Sequence, residues 1–217
     1  MSQTPSSPPQ FDDAFRTRLL DLFCWRRDVR RFRTEPLPPG TLERLIEIAC
    51  LAPSVGLSQP WRFVIVEDIR RRQAVLKNFE SCNAEALNTY DGDLSDRYAA
   101  LKLAGLREAP CQFAVFADRD TATGHGLGRR TMPEMAEYSA VTAVFSLWLA
   151  ARAEDIGMGW VSILDPSAVA AALDLPAAWR FIGYFCVGYP QVEDDSPELE
   201  RAGWEQRRAA ADSILRR

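Results

Sequence analysis

Residues 135–163 read MAEYSAVTAVFSLWLAARAEDIGMGWVSI. Between Ala140 and Ala153 the only polar residues are Thr142, Ser146 and Arg152. An amphipathic surface helix carries one polar face, and this stretch does not. It predicts a helix buried all round, by its own domain or by a second subunit. It is too short to span a bilayer, which takes about 20 apolar residues. The polar run Arg152, Glu154, Asp155 ends the helix, with Gly157 placed as its C-terminal cap. Residues 157–163 then read as a turn entering a strand. Gly157 and Gly159 let backbone approach something flat or bulky, although plain helix–strand packing would use them in the same way.

Working outward, 217 residues suit one domain with a sizeable core, and 47% hydrophobic content suits a folded chain. A net charge of −4 gives no global pull toward nucleic acid or an anionic membrane. Residues 1–10 are rich in Ser, Pro and Gln and lack the apolar core of a signal peptide, so they read as a disordered tail before a single domain over 11–217. Cys24, Cys50, Cys82, Cys111 and Cys186 are widely spaced and form no CxxC pair. That suggests neither a zinc site nor a disulfide framework, and reduced cytoplasmic thiols are expected. The only histidine, His125, excludes a His-rich metal site, and no metal is expected.

Phe11 to Trp25 has helical apolar spacing. Arg26-Arg27-Asp28-Val29-Arg30-Arg31-Phe32-Arg33 follows, with five arginines in eight residues. Guanidinium forks suit phosphate, so this is a candidate anion site; a solvated basic helix end is the plainer alternative. Asp28 among these arginines is either an ion-pair partner or a catalytic carboxylate. Thr41 to Leu51 predicts an amphipathic helix stopped by Pro53. Residues 52–61 form a Pro/Ser/Gly loop before a strand over 63–66. Asp68 is placed to cap a helix through Phe79. In the polar stretch 81–109, broken at 91–93, a helix resumes over 98–106 and carries Lys102; a lid and a surface excursion both stay open. Strands are expected at 111–117, 161–164 and 181–187, with a short helix opened by Asp165-Pro166. Helices alternate with few strands, which points to an α+β sandwich with a modest sheet. No GxGxxG follows a strand, so a Rossmann site is not indicated.

Three separated segments then align: the Arg-rich turn at 26–30, the loop Ala52-Pro53-Ser54-Val55-Gly56 with Gln59-Pro60-Trp61, and Gly159-Trp160-Val161-Ser162-Ile163 after the apolar helix. Together with residues 98–103, 147–154, Gly203-Trp204 and Arg207, they resemble the nitroreductase-like flavin-binding superfamily, and within it the 5,6-dimethylbenzimidazole synthase (flavin destructase) family. The resemblance covers about residues 11–208. It implies a mostly antiparallel sheet surrounded by helices, in a homodimer with active sites at the subunit interface.

The resemblance also implies that reduced FMN is consumed with O2 as a substrate, supplied by a separate flavin reductase. The dimethylbenzene ring with ribityl C1′ becomes 5,6-dimethylbenzimidazole, the lower ligand of cobalamin, and the remaining ribityl carbons leave as erythrose 4-phosphate. Asp28, Ser162 and Gly56 are then the candidate catalytic positions. Asp28 would serve as acid or base, Ser162 would bond near the reacting face, and Gly56 would leave space over the ring. Arg26, Arg27, Arg30 and Arg207 would meet the phosphate and pyrimidine edge. Val29, Pro53, Ser54, Val55, Gln59, Lys102 and Trp160 complete the candidate flavin contacts. Ordinary nitroreductases often carry Ser at the position of Asp28 and Asn at that of Gly56. Those two departures argue against the runner-up, an NAD(P)H-dependent nitroreductase or quinone reductase that keeps its FMN. A non-catalytic flavin-binding module is the third reading.

Overall fold

A computed structural model of the chain describes residues 8–217, so most of the tail expected over 1–10 lies outside the described residues. The framework is a four-stranded sheet of β1 (Trp61–Ile65), β2 (Cys111–Asp118), β3 (Gly157–Val161) and β4 (Trp179–Gly188). Its order is β1-β2-β4-β3, and every neighbouring pair is antiparallel. Side chains alternate across a strand, so each central strand feeds two cores. Phe113, Val115 and Ala117 of β2 face one layer, while Ala114 and Phe116 face the other. Phe185 and Val187 of β4 join the first layer, and Tyr184 and Cys186 the second. This is the expected α+β sandwich with a modest sheet.

The first layer is closed by α2 (Thr41–Ala49) and α5 (Met135–Arg152). The second is closed by α3 (Ile69–Leu87) and α6 (Pro166–Ala172), through Val75 and Val169. The Asp68 carboxylate accepts from the Arg70 and Arg71 amides at 2.6 and 3.3 Å, and that of Asp165 from Ser167 and Ala168 at 2.8 and 3.3 Å. Both caps fall where the sequence places them. Among the described residues no helix is long and apolar enough to cross a membrane.

Helix α5 is not buried all round by its own chain, which leaves the second subunit of the expectation to cover the rest. Within the chain, Ala136, Ala140, Ala143, Val144, Leu147 and Ala151 are buried, but Tyr138, Val141 and Phe145 are 52%, 37% and 39% exposed. The helix therefore has one covered stripe and one open apolar stripe. On its flank lies α1 (Asp13–Trp25), which has no buried residue and stacks Phe23 on Phe145 with ring centroids 6.2 Å apart.

Several boundaries also differ. The α5 cap is a Schellman turn: the Ile156 amide donates to the Ala151 carbonyl at 2.9 Å and the Asp155 amide to that of Arg152 at 3.1 Å. Asp155 takes the left-handed φ of +58° expected for Gly157, and Gly157 instead opens β3. That strand accordingly ends at Val161 rather than running to Leu164. Helix α3 continues past Phe79 to Leu87. After the break, α4 spans Gly92–Ala100, so Lys102 lies beyond its end and not on a helix. There the chain turns extended to bury Ala104 and Leu106 in the second layer.

Candidate active site

Strand β3 is an edge strand, and its free side is covered by the extended segment that follows α1. The Val29 amide donates to the Met158 carbonyl at 3.0 Å, and Asp28 forms a parallel bridge with Met158. Fully buried Phe32 anchors the far end of the segment. At the near end the Trp148 indole N–H of α5 donates to the Arg27 carbonyl at 3.1 Å. This contact is close because β3 is glycine-bearing: a Cβ at Gly159 would collide with the Val29 carbonyl oxygen, and one at Gly157 would press on the Val29 side chain.

Asp28 sits at the centre of this junction. Its Oδ1 accepts from the Trp160 amide at 2.8 Å, so the carboxylate satisfies an edge amide of β3. Its Oδ2 accepts from Arg30 Nε at 3.0 Å, and Arg30 also donates to the Lys102 carbonyl at 3.2 Å. Burial pushes the Asp28 carboxyl above the usual carboxylate range, against the opposing pull of Arg30 and of the Trp160 amide. The side chain still keeps 31% exposure, so a ligand can reach it. A group that is polarised in both directions, accessible and held at two oxygens is suited to taking and giving protons.

Beside it lies positive charge without internal partners. The Arg26 guanidinium rests 4.9 Å above the Trp148 ring and 6.0 Å from that of Phe145. Burial lowers the pKa of both Arg26 and Arg27, and the charge of Arg207 lowers both further. Nε of Arg26 and Nε of Arg27 are buried without a hydrogen-bond partner. Among the described residues no ion pair engages Arg26, Arg27 or Arg207. Two cations with orphaned donors, and the charge of a third acting on both, fit a dianionic phosphate. A cavity of about 340 Å³ opens along residues 27–31 and is walled on its other side by Asp194, Ser196, Glu198 and Arg201.

The remaining candidates behave differently. The Lys102 ammonium is paired with Glu108 at 2.7 Å, and the residue joins the Asp28 network through its carbonyl. The Trp160 indole packs inward against Phe185 and Trp148, with centroids 5.1 and 6.3 Å apart. Ser162 is exposed just past the end of β3, two residues beyond the amide that holds Asp28. Pro53, Ser54, Val55, Gly56 and Gln59 form a second group. The Ser54 hydroxyl accepts from the Gln59 amide at 3.0 Å, the Val55 amide donates to the Ser139 hydroxyl at 3.1 Å, and the Pro53 carbonyl accepts from Thr142 at 3.1 Å. Gly56 has φ +55°, and a side chain there would press on Leu127 and on the Gly124 carbonyl; Gly56 also lines an open cavity with residues 124–128, Arg130 and Thr131. Ser139 and Trp148 are nine residues apart on α5, which sets the two groups about 13 Å apart along the helix axis.

Sequence reasoning missed Trp148. It is the one large aromatic among the small residues 146–151 other than leucines, and it serves Arg26 with its ring and Arg27 with its N–H. The Lys102 carbonyl had no signal, because any residue type carries one.

A match to the nitroreductase family spans residues 24–189. The 5,6-dimethylbenzimidazole synthase of Rhodospirillum rubrum is 56% identical over 200 residues, covering 92% of this chain and 95% of that protein. The synthase of Rhodobacter capsulatus is 45% identical over 196 residues, covering 90% and 95%. Among solved structures, oxidised iodotyrosine deiodinase bound to FMN and 3-iodo-L-tyrosine matches with a TM-score of 0.69 at 27% identity, covering 81% of this chain and 91% of that one. The chain belongs to the nitroreductase family and, within it, to the family of the 5,6-dimethylbenzimidazole synthases.

Proposed function

We propose that the protein catalyses the oxygen-dependent fragmentation of reduced FMN to 5,6-dimethylbenzimidazole and erythrose 4-phosphate. The observation that carries this reading is the Asp28 carboxylate, raised in pKa, exposed to ligand and held by Trp160 and Arg30 beside three unpaired arginines. Reduced FMN, when bound, supplies both the electrons for oxygen and the carbon skeleton of the product. Arg26, Arg27 and Arg207 hold the phosphate. Arg30 orients Asp28 through one nitrogen and is itself fixed by Lys102 through another. Asp28 moves the protons that bond cleavage requires, a role typically worth about 10²–10⁴-fold in rate. Ser162 lies close enough in sequence to the Asp28–Trp160 junction to bond at the same face.

The working unit in this proposal is a homodimer. The Pro53–Gln59 loop and Asp28 lie toward opposite ends of α5, and the open stripe of that helix is apolar at Tyr138, Val141 and Phe145. A second copy packed antiparallel on this stripe covers it and brings the loop of one subunit toward Asp28 of the other. A separate reductase supplies the reduced flavin, and the five unpaired cysteines suit the cytoplasm.

The test is aerobic incubation with FMN and a flavin-reducing system, followed by chromatography. Dimethylbenzimidazole should accumulate in proportion to FMN lost. Repeated flavin reoxidation with no loss of FMN would overturn the proposal.

A further inference from the structure

After β4 the chain crosses back over the Arg-rich segment. The Gln191 amide donates to the Arg31 carbonyl at 3.0 Å, and Arg31 forms an ion pair with Glu198. Glu198 opens α7 (Glu198–Arg201), which likewise ends in a Schellman turn. Gly203 takes φ +69°, its amide donates to the Glu200 carbonyl at 3.0 Å, and the Trp204 amide donates to that of Leu199 at 2.9 Å.

That turn delivers Trp204 onto two tyrosines. Its ring lies edge-on to Tyr90 and Tyr98, with centroids 5.6 and 6.1 Å apart. Tyr90 and Tyr98 are themselves stacked at 4.8 Å, and the Tyr98 hydroxyl donates to Asn83 at 2.8 Å. Arg97 donates to the Gly203 carbonyl at 3.2 Å. Beyond Gly203, Trp204 is the one residue of the tail that is not exposed.

Arg207 follows three residues after Trp204, within about 10 Å of extended chain. We infer that Trp204 is a positioning residue: docked on Tyr90 and Tyr98, it holds Arg207 over the Arg26–Arg27 pair and so sets the preference for phosphorylated over unphosphorylated flavin. The same α4 that carries Tyr98 leads, four residues on, to the Lys102 carbonyl that fixes Arg30. One short helix thereby ties the phosphate end of the site to the carboxylate end. Arg201 and Ala202, just before the turn, line the same cavity as Arg27, so the tail sets out beside that arginine; the positive charge of Arg207 lowers the pKa of Arg26 and Arg27 in keeping with this.

This inference rests on the flavin reading of the site, yet its test does not require turnover. Dissociation constants for oxidised FMN and for riboflavin are measured on the full chain and on Trp204→Ala, Trp204→Phe, Arg207→Ala and the double alanine variant. Losing one charge-assisted contact corresponds to roughly tenfold or more. Trp204→Ala should lower the FMN-over-riboflavin preference by about that factor, to the level of Arg207→Ala, and the double variant should lose no more. Trp204→Phe should retain the preference. Trypsin should cut after Arg207 faster in Trp204→Ala, whether or not flavin is bound. If Trp204→Ala does not fold, Tyr90→Ala, which removes one wall of the same cluster, should give the same loss. A preference unchanged in Trp204→Ala, an equal weakening of both flavins, or a preference unchanged in Arg207→Ala would each overturn the inference. Failure of the flavin reading itself shows separately, as wild-type protein that forms no dimethylbenzimidazole.

Discussion

The Asp28 carboxylate accepts the backbone N–H of Trp160 at 2.8 Å, across 132 residues of sequence. A side chain thus stands where a neighbouring strand's carbonyl would stand on the edge of β3. The same contact fixes the position of the carboxylate relative to Ser162, and Arg30 fixes its second oxygen.

The junction depends on Gly159. A methyl group there would collide with the Val29 carbonyl oxygen. Gly159→Ala should therefore push the 26–30 segment off β3. The expected cost is on the order of 1–3 kcal/mol, as for other overpacked sites. Product formation should fall by far more than stability, because the Asp28–Trp160 bond opens. Thermal melting and product yield on the same variant check this. A normal yield would mean that the segment can move without consequence.

A second prediction concerns charge at the phosphate. Arg27 has a buried Nε without a partner, and burial followed by the charges of Arg207 and Arg26 lowers its pKa. Arg27→Ala should weaken FMN binding by roughly 1.5–3 kcal/mol and riboflavin binding much less. Equal losses, read by fluorescence quenching, would reassign Arg27 to the ring or to the fold.

Helix α5 shows how far the sequence carried the reading and where it stopped. Its missing polar face was legible, and so was the need for something to cover it. The chain alone shows that Tyr138, Val141 and Phe145 stay open. Val141→Glu should shift a dimer toward monomer in sedimentation at micromolar concentration and reduce product formation with it. A wild-type protein that is a compact monomer would remove the dimeric part of the proposal.

Other features were legible because local chemistry decides them. Asp68 and Asp165 cap helices through their own side chains, and β2 alternates between two apolar layers. What could not be read depends on distant backbone. Nothing local marks the Lys102 carbonyl as the support of Arg30, or Asp155 rather than Gly157 as the left-handed residue of the α5 cap. Nor does anything local show that Gly56 packs against Gly124 and Leu127, about 70 residues on.

A pH prediction follows from Asp28. Burial raises its pKa in the folded chain above the unfolded value, so folding prefers the protonated form. The stability it contributes is present below the unfolded value, near about 3.9, and is lost as pH rises through the folded one. Asp28→Asn cannot ionise. Its stability relative to wild type should therefore improve as pH rises through that window. Taking the difference between the two proteins in denaturant titrations cancels the other carboxylates. A difference that is flat with pH would show that Arg30 and Trp160 fully offset the burial.

The same substitution separates catalysis from structure. Asn keeps the size of Asp28 and an oxygen to accept from Trp160, so the edge of β3 stays satisfied and the pocket survives. Arg30 keeps the Lys102 carbonyl, which limits its movement. Asn can neither gain nor lose a proton near neutral pH, so steps that need an acid or base should stall. Asp28→Asn should then bind reduced FMN and consume oxygen, yet return the flavin intact with release of peroxide and form little or no dimethylbenzimidazole. If Asp28 only neutralises its arginines, the variant should instead bind FMN differently while product per flavin oxidised stays normal. Measuring binding, oxygen uptake and product on one preparation distinguishes the two. A wild-type yield per oxidised flavin would take the proton-transfer role away from Asp28.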